Sequence, residues 1–374
     1  MPPKTLPKTL KETPTPYASR LKALRGQMKE RGIPNLLILS SANRRYFSGF
    51  LARDAMIAES AGSLLITPDA QYLLTDSRYL IEAQNEAPLF ETVLTTKGLV
   101  DSLTELGSFA EGLGYEADYL TVFHFLKLTK ALGEVLRPWP GSLGTLRASK
   151  DASEISLIKK ALEIAEKAVG LLWDNLEPGW TEGQAAWFLD RTFRDLGAEG
   201  SSFETIVAAG PRAALPHAVP GSKVIEKGEM VVVDCGAFYE GYASDITRTI
   251  VLGPPKAWQK KIYRVVREAQ QKALDFLAPG KTGAEVHKVA FDHIAKNGYG
   301  DYFGHSLGHG VGLAIHEPPN LSPFNKEPLP VGAVVTVEPG IYLPDQGGVR
   351  LEQMAVLTKT GCLLLNEDNH FYDF

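Results

Sequence analysis

The sequence predicts two domains, a compact α/β domain followed by a larger domain that also combines helices with strands. Three observations support this prediction. The chain has 374 residues, which is about the length of two average domains. A composition of 44% hydrophobic and 22% charged residues is typical of chains that bury a core. Stretches with helical periodicity are interspersed with short apolar runs that are typical of strands.

The domain boundary is predicted in a turn-rich stretch that begins at Pro138. A capping box follows, in which Asp151 and Glu154 mark the start of a long amphipathic helix. The N-terminal stretch carries five prolines and several lysines, which predicts a flexible tail. We therefore assign residues 1–16 to the tail, residues 17–147 to the first domain and residues 148–374 to the second.

The first domain contains a predicted helix and several predicted strands. Leu21, Leu24 and Met28 recur at spacings of three and four, which predicts a helix over residues 17–31. Apolar runs predict strands, two of which form a hairpin around Pro68. The predicted strands cover residues 36–39, 63–67 and 72–75. Arg44, Arg45 and Tyr46 either face a substrate or lie on a surface loop, and we favour the surface loop.

Composition and charge narrow the possible partners and the location. A net charge of −5 without a dense basic block argues against nucleic acid as the main partner. No apolar run approaches the roughly 20 residues that cross a bilayer, and the N-terminus has no apolar signal core. Cys235 and Cys362 are too few for a disulfide framework and are typical of a reducing compartment. We therefore expect a cytoplasmic protein without a membrane partner.

Two aspartates are predicted to face each other on a β-hairpin. One apolar run ends at Asp234, and a β-rich run begins at Asp245. If the hairpin turns at Tyr239 and Glu240, the two aspartates are cross-strand partners with Cβ atoms roughly 4.5–5.5 Å apart. Two ionised carboxylates there would repel each other, so either one is protonated or a cation lies between them. We favour the cation; the alternative is offset strands with Asp245 solvated in a turn.

A glycine-rich segment over residues 303–317 carries three of the eight histidines, His305, His309 and His316. Its four glycines make a helix costly and favour a turn-rich backbone that approaches a metal or a substrate closely. Imidazole is the commonest transition-metal ligand and the usual proton shuttle near neutral pH. The alternative is an apolar strand or turn with buried, hydrogen-bonded histidines.

Two glutamates lie at the ends of predicted strands. Glu338 ends an apolar strand, and Glu352 shares a strand face with Arg350. A lone buried glutamate is costly, so each needs a partner. With the two aspartates and one histidine, these glutamates supply enough ligands for two divalent ions. Oxygen-rich ligands with one imidazole favour Mn²⁺, with Co²⁺ or Zn²⁺ as alternatives.

His217 lies in a loop bounded by Pro216 and Pro220, upstream of the predicted hairpin. A histidine in such a loop either lies on the surface or contacts a substrate. Because the loop immediately precedes the strand that ends at Asp234, we favour the substrate contact.

The order and spacing of these residues resemble those of the metallopeptidases with the pita-bread fold, which include methionine aminopeptidase, Xaa-Pro aminopeptidase and Xaa-Pro dipeptidase (prolidase). The first half resembles the N-terminal domain of the creatinase and prolidase branch, which excludes a bare methionine aminopeptidase. The resemblance covers residues 17–374. It implies a creatinase/prolidase-type α/β domain, an α+β pita-bread catalytic domain and a homodimer. The matching positions are His217, Asp234, Asp245, His309, His316, Glu338 and Glu352.

The resemblance implies a role for each metal ligand in the hydrolysis of proline-containing peptides. Asp234 would bind one of two metal ions, and Asp245 and Glu352 would bridge both. His309 and Glu338 would complete the second site. Glu338 would also take the proton of the attacking water and pass it on.

The resemblance also implies roles for residues that bind no metal. His217, His305 and His316 would line the substrate site. His316 would donate to the developing oxyanion, and His217 would hold the carbonyl on the proline side. Tyr342 and Arg350 would support the site and the substrate, and Thr247 would assist a metal ligand.

One departure from the family bears on the substrate. Many dipeptidases of this branch carry an arginine four residues after the histidine that matches His316, where it pairs with the carboxylate of the dipeptide. Here that position is Asn320. We therefore expect an Xaa-Pro aminopeptidase that accepts longer peptides, with an Xaa-Pro dipeptidase as the alternative. An inactive peptide-binding relative and a metal-free creatinase-like hydrolase are less favoured, since all five metal ligands are present.

Overall fold

A computed structural model of the protein describes residues 16–54, 60–368 and 370–374. The chain divides into two compact units between Leu143 and Gly144. The sequence-based boundary between residues 147 and 148 stays a prediction. The predicted flexible tail lies outside the described residues except for Pro16, which is instead the first residue of a helix.

The first unit contains one mixed sheet. Its elements are α1 (Pro16–Glu30), β1 (Asn35–Ile38), α2 (Ser41–Ser48), β2 (Ser63–Ile66), β3 (Gln71–Thr75), α3 (Leu80–Glu86), β4 (Glu91–Leu94), α4 (Leu99–Leu106), β5 (Leu113–Tyr115), α5 (Val122–Leu132) and β6 (Leu136–Pro138). The six strands lie in the order β4-β3-β2-β1-β5-β6. β2 is antiparallel to β1 and β3, and the other pairs are parallel. The predicted first helix, hairpin and strands are confirmed.

The prediction of a surface loop at Arg44 is wrong. Arg44 lies in α2 and is fully buried, and Tyr46 is buried as well. Arg44 Nη1 donates to Asp54 Oδ2 at 2.9 Å and to the Gly62 carbonyl at 2.6 Å. A guanidinium can be buried when its N–H groups find a carboxylate and carbonyl oxygens, and hydrophobic periodicity does not reveal that Asp54 and Gly62, 10 and 18 residues away, meet Arg44.

The second unit combines long helices with small antiparallel sheets. Its helices are α6 (Ala152–Asn175), α7 (Glu182–Asp195), α8 (Ala257–Phe276) and α9 (Gly283–Lys296). Its strands are β7 (Gly200–Ser201), β8 (Ile206–Ala209), β9 (Met230–Cys235), β10 (Ala237–Tyr239), β11 (Tyr242–Ala243), β12 (Ile246–Val251), β13 (Val334–Val337), β14 (Gly340–Leu343), β15 (Gly347–Arg350), β16 (Gln353–Leu357) and β17 (Cys362–Leu364). The sheets run in the orders β11-β10-β7, β12-β9-β8, β13-β16-β17 and β14-β15. Within the described ranges, no helix is long and apolar enough to cross a membrane.

Helix α6 begins where the capping box predicts. Asp151 Oδ1 accepts from the backbone N–H groups of Ser153 and Glu154 at 2.9 and 3.0 Å. The Glu154 side chain accepts in return from the Asp151 N–H at 3.1 Å. This exchange satisfies N–H groups that a helix start otherwise leaves unpaired. The apolar stripe of the helix is buried, including Ile158, Leu162, Val169 and Leu172.

The hairpin that carries the two aspartates turns one residue later than predicted. Glu240 and Gly241, with φ of 42° and 76°, are the central residues between β10 and β11. A two-residue hairpin turn with both φ values positive favours glycine, which Gly241 supplies. Thr247, not Asp245, therefore lies opposite Asp234, and the predicted direct pairing is wrong. A register shift of two residues keeps both aspartates on one face of the sheet.

Candidate metal centre

The structure brings together, in the second unit, five predicted metal ligands that are distant in the chain. Each lies at or beside the end of a strand or in the irregular segment before β13, where side chains of several elements can meet. Asp234 lies near the end of β9, Asp245 directly precedes β12, His309 lies between α9 and β13, Glu338 directly follows β13, and Glu352 lies between β15 and β16.

Carboxylates and one imidazole converge at this place. His309 Nε2 lies 3.4 Å from Asp245 Oδ2 and 3.4 Å from Glu338 Oε1. Asp245, His309 and Glu352 each contribute one ligand atom to a group whose atoms lie within 4.8 Å of one another. Asp234 Oδ1 and Glu352 Oε1 are buried, and no described residue donates a hydrogen bond to either. Buried oxygens are normally hydrogen-bonded, so these two atoms fit a bound cation.

The environment opposes ionisation of the clustered carboxyl groups. Burial, and then the negative charges of Asp234 and Glu338, raise the pKa of Asp245 well above its ordinary value. Burial and the charge of Asp245 raise the pKa of Glu352 well above its ordinary value, and burial raises the pKa of Glu338. A divalent cation would offset this repulsion. The oxygen-rich set with one imidazole is chemically suited to Mn²⁺, Co²⁺ or Zn²⁺.

Two hydroxyl groups hold carboxylates of the cluster. Thr247 Oγ1 donates to Glu352 Oε2 at 2.9 Å. Thr336 Oγ1 donates to Glu338 Oε1 at 3.0 Å and accepts from the His309 N–H at 3.0 Å. The sequence did not single out Thr336, because a threonine in a strand is ordinary.

Arg350 links Asp234 to a chain of hydrogen bonds that runs through Tyr342 and His305. Arg350 Nη2 donates to Asp234 Oδ2 at 2.6 Å, and Nη1 donates to the Tyr342 hydroxyl at 2.9 Å. The hydroxyl therefore directs its own proton to His305 Nε2, 2.9 Å away. His305 Nδ1–H then donates to the Ser306 carbonyl at 2.7 Å. Burial lowers the pKa of His305 to about 4, which fits this neutral tautomer.

The three predicted substrate histidines line one cavity of about 650 Å³, together with four of the metal-ligand candidates. His217 is exposed in the loop that follows a short 3₁₀ turn, Gly210–Ala214. The ring of His316 packs edge-on against the ring of His309, with centroids 4.2 Å apart. Burial, and then His309, lower the pKa of His316, so this imidazole is neutral near pH 7.

Glu317 is a buried acid that the sequence analysis missed. Its Oε2 accepts from Arg147 Nε and Nη2 at 3.1 and 2.9 Å, and Lys150 Nζ lies 2.8 Å from Oε1. Burial alone would raise the pKa of Glu317, but the charges of Lys150 and Arg147 outweigh it and hold the pKa below its ordinary value. Arg147 and Glu317 are 170 residues apart, and an acid in a proline-rich turn carries no signal for so distant a pairing.

Glu317→Gln is expected to lower the free energy of unfolding by about 3–5 kcal/mol near pH 7, because it removes a buried carboxylate that contacts two buried cations. A depressed folded-state pKa stabilises the protein above the unfolded-state value near 4.5, and this contribution is lost as the pH falls through the folded-state pKa. The difference between wild type and variant should therefore shrink below about pH 4.5. Urea unfolding of both proteins at neutral and acidic pH measures this difference; a constant difference would contradict the ionised pairing.

The chain matches known proteins over most of its length. The family model described as "Metallopeptidase family M24" matches residues 156–359, and "Creatinase/Prolidase N-terminal domain" matches residues 20–148. An Xaa-Pro dipeptidase of Pyrococcus furiosus is 39% identical over 357 residues, which are 93% of this chain and 97% of that protein. The structure of an Xaa-Pro dipeptidase from Bacillus anthracis has a TM-score of 0.89 at 37% identity, covering 94% of this chain and 98% of that one. An X-Pro aminopeptidase structure from Thermotoga maritima has a TM-score of 0.86 at 37% identity, with coverages of 94% and 98%.

Clustered carboxylates and an imidazole in the wall of a cavity define a metal-dependent hydrolase. The chain belongs to metallopeptidase family M24 and carries a creatinase/prolidase N-terminal domain before its M24 domain. The predicted fold, a creatinase/prolidase-type domain followed by a pita-bread catalytic domain, is confirmed, and so is the prediction of a metallopeptidase. The roles of single residues, the manganese ion, the homodimer and the cytoplasmic location stay predictions.

Proposed function

We propose that the protein is an Xaa-Pro dipeptidase, which uses a pair of divalent metal ions to hydrolyse the bond between a first residue and a C-terminal proline. The observation that carries the proposal is the convergence of metal ligands on one cavity that three further histidines line. Relatives named Xaa-Pro dipeptidase support it. They favour this alternative over the aminopeptidase that the sequence analysis preferred.

Asp234, Asp245, His309, Glu338 and Glu352 would hold the metal ions. When bound, the ions supply Lewis acidity towards the scissile carbonyl and lower the pKa of a coordinated water. Glu338 lines the cavity and is oriented by the Thr336 hydroxyl, so its carboxylate is placed to take a proton from the attacking water. It passes that proton to the proline nitrogen, which has no N–H of its own in the peptide.

The histidines around the cavity divide the remaining tasks. His316 is neutral near pH 7, and its N–H donates to the oxyanion that develops on the scissile carbonyl. His217 is exposed in the cavity wall and holds the carbonyl or carboxylate on the proline side. Both nitrogens of His305 are engaged by Tyr342 and Ser306, so His305 supports Arg350 and Asp234 through Tyr342.

His316→Ala is expected to leave the metal ions bound and to lower kcat by about 10²- to 10⁴-fold, because it removes a proton donor but no ligand. Elemental analysis and steady-state hydrolysis of an Xaa-Pro dipeptide measure the two effects. His124→Ala, on helix α5 of the first unit, is the matched control and should retain both metal and activity. Loss of metal from the His316 variant would mean that His316 is a ligand and not the donor.

Asn320 favours an Xaa-Pro aminopeptidase as the second candidate. It lines the cavity, where a dipeptidase of this branch would place an arginine for the substrate carboxylate. Among the described lining residues, Arg350 is the only lysine or arginine. Arg350 already donates to Asp234, Tyr342 and Thr247.

The two candidates differ in how they treat a free carboxylate next to proline. The test compares kcat/KM for an Xaa-Pro dipeptide, its C-terminal amide and an Xaa-Pro-Yaa tripeptide, with Xaa-Ala as the control for the proline requirement. We expect the free dipeptide to exceed its amide by about 10-fold or more, which corresponds to one charge-assisted hydrogen bond. A tripeptide that is cleaved as fast as the dipeptide or faster would assign the protein as an aminopeptidase.

A further inference from the structure

Glu317, the residue after His316, has a side chain fixed by polar contacts that the His316 ring lacks. Glu317 is buried, and its two oxygens contact Arg147 and Lys150, whose side chains are 6% and 1% exposed. By contrast, the ring of His316 has no hydrogen-bond partner within the described part of the chain, and its ring contact is with His309. The position of the His316 ring therefore depends on the backbone that Glu317 anchors.

Glu317 also fastens the turn that carries His316. The Glu317 N–H donates to the Gly310 carbonyl at 3.0 Å, which closes the turn, and the Ala314 N–H donates back to Glu317 Oε2 at 3.3 Å. A Cβ at Gly312 would lie 2.2 Å from Glu317 Oε1, so the turn wraps closely around the carboxylate. The carboxylate is thus an internal anchor of residues 310–317.

The anchor joins this turn to the segment before helix α6. Arg147 ends a 3₁₀ turn, and the Lys150 N–H donates to the Gly332 carbonyl at 2.9 Å. The turn makes a further backbone bond, from the Ala243 N–H to the Gly312 carbonyl at 2.8 Å. Two separate parts of the second unit, residues 147–150 and Ala243, therefore contact the turn directly, and Gly332 holds the first of them.

The charges of Glu317, Arg147 and Lys150 indicate that this ionic group positions the turn rather than only stabilising the fold. Two buried cations, Arg147 and Lys150, contact the one buried carboxylate of Glu317. Desolvating three charges is costly, and apolar residues of similar size often stabilise a fold as well or better. What the ionic group provides is a fixed position, because two N–H groups of Arg147 converge on one oxygen of Glu317 while Lys150 contacts the other.

We propose that Glu317, clamped by Arg147 and Lys150, is the positioning residue that sets His316 against the scissile carbonyl. The inference rests on the proposed function of His316 as the oxyanion donor. Glu317 itself touches no substrate in this scheme. It acts through the backbone of the 310–317 turn, and its loss displaces the His316 ring while the metal ligands keep their places.

The test compares Glu317→Gln with wild type by kcat and KM on an Xaa-Pro dipeptide, metal content, and hydrogen exchange measured by mass spectrometry. We expect kcat to fall by about 10- to 100-fold with KM nearly unchanged, since a displacement of about 1 Å at a catalytic group has this effect. Metal content should stay at the wild-type value. Amide exchange should rise in the 310–317 turn.

Two further variants separate an effect on the position of His316 from a general loss of stability. Asp54→Asn breaks the buried Asp54–Arg44 pair of the first unit, whose side chains are 4% and 0% exposed. It should destabilise the protein without changing kcat. Lys150→Met retains the Arg147–Glu317 pair, so it folds even if Glu317→Gln does not, and it should lower kcat in the same direction by a smaller factor.

If Glu317→Gln or Lys150→Met were folded and metal-bound and kept the wild-type kcat, the proposed positioning role of Glu317 would be wrong. Loss of metal from the Glu317 variant would also overturn it, because the group would then support His309 rather than His316. If wild type itself fails to cleave the dipeptide, the proposed function fails. The exchange comparison still tests whether Glu317 fastens the turn.

Discussion

Asp245→Ala is expected to abolish both the hydrolysis of Xaa-Pro dipeptides and the binding of divalent metal. Asp245 directly precedes β12 and contributes a ligand atom to the cluster with His309 and Glu352. Alanine removes a carboxylate that would bind the proposed metal ions. Loss of a Lewis acid worth several kcal/mol corresponds to a fall in kcat of about 10³-fold or more. Elemental analysis of the purified protein and a hydrolysis assay measure the two losses together.

The matched control is Asp292→Ala on helix α9, where the carboxylate is 57% exposed and pairs with Lys288. Removal of an exposed ion pair costs little, so this variant should keep full metal content and activity. An Asp245→Ala protein that retained wild-type activity would refute the metal centre. A variant that lost activity but kept its metal would assign Asp245 to substrate binding instead.

The convergence of the acids was predictable because it follows from strand geometry. Apolar runs that end in Asp234 and Glu338 place their carboxylates at sheet ends whichever strands they pair with. The register of the aspartate hairpin was predicted wrongly, since the turn at Glu240 and Gly241 is set by positive φ values that a composition-based turn assignment missed. The error did not move either aspartate to the other face of the sheet, because a register shift of two residues preserves the face.

Interactions between distant buried charges were not predictable. Glu317 meets Arg147 across 170 residues of chain, and no local pattern relates them. Arg44 was placed on the surface although it is fully buried against Asp54, because the sequence pattern does not show that these two charges, ten residues apart, meet inside the fold. Hydrophobic periodicity reports which face of an element is inside, but it carries no information about which charges meet there.

In metal-free protein, replacing the two aspartates of the site by asparagine is expected to change the melting temperature in opposite directions. Asp245 lies among carboxylates, and burial and the charges of Asp234 and Glu338 raise its pKa well above the ordinary value. Two like charges about 4 Å apart repel by about 4 kcal/mol at an effective dielectric constant of about 20. Asp245→Asn therefore raises the melting temperature of the chelator-treated protein. Thermal unfolding of wild type and variant after exhaustive chelation measures the effect.

Asp234→Asn provides the contrast, because Asp234 Oδ2 is bound by Arg350 Nη2 at 2.6 Å. Neutralising Asp234 removes the carboxylate that pairs with the buried Arg350 guanidinium and is expected to lower the melting temperature of the same metal-free protein. Adding Mn²⁺ at about 100 times its dissociation constant stabilises wild type by about 2.7 kcal/mol and should stabilise neither variant to that extent. Equal destabilisation by both substitutions would mean that Asp245 makes favourable contacts without a cation. The cluster would then be a hydrogen-bonded acid network, not a site built around metal ions.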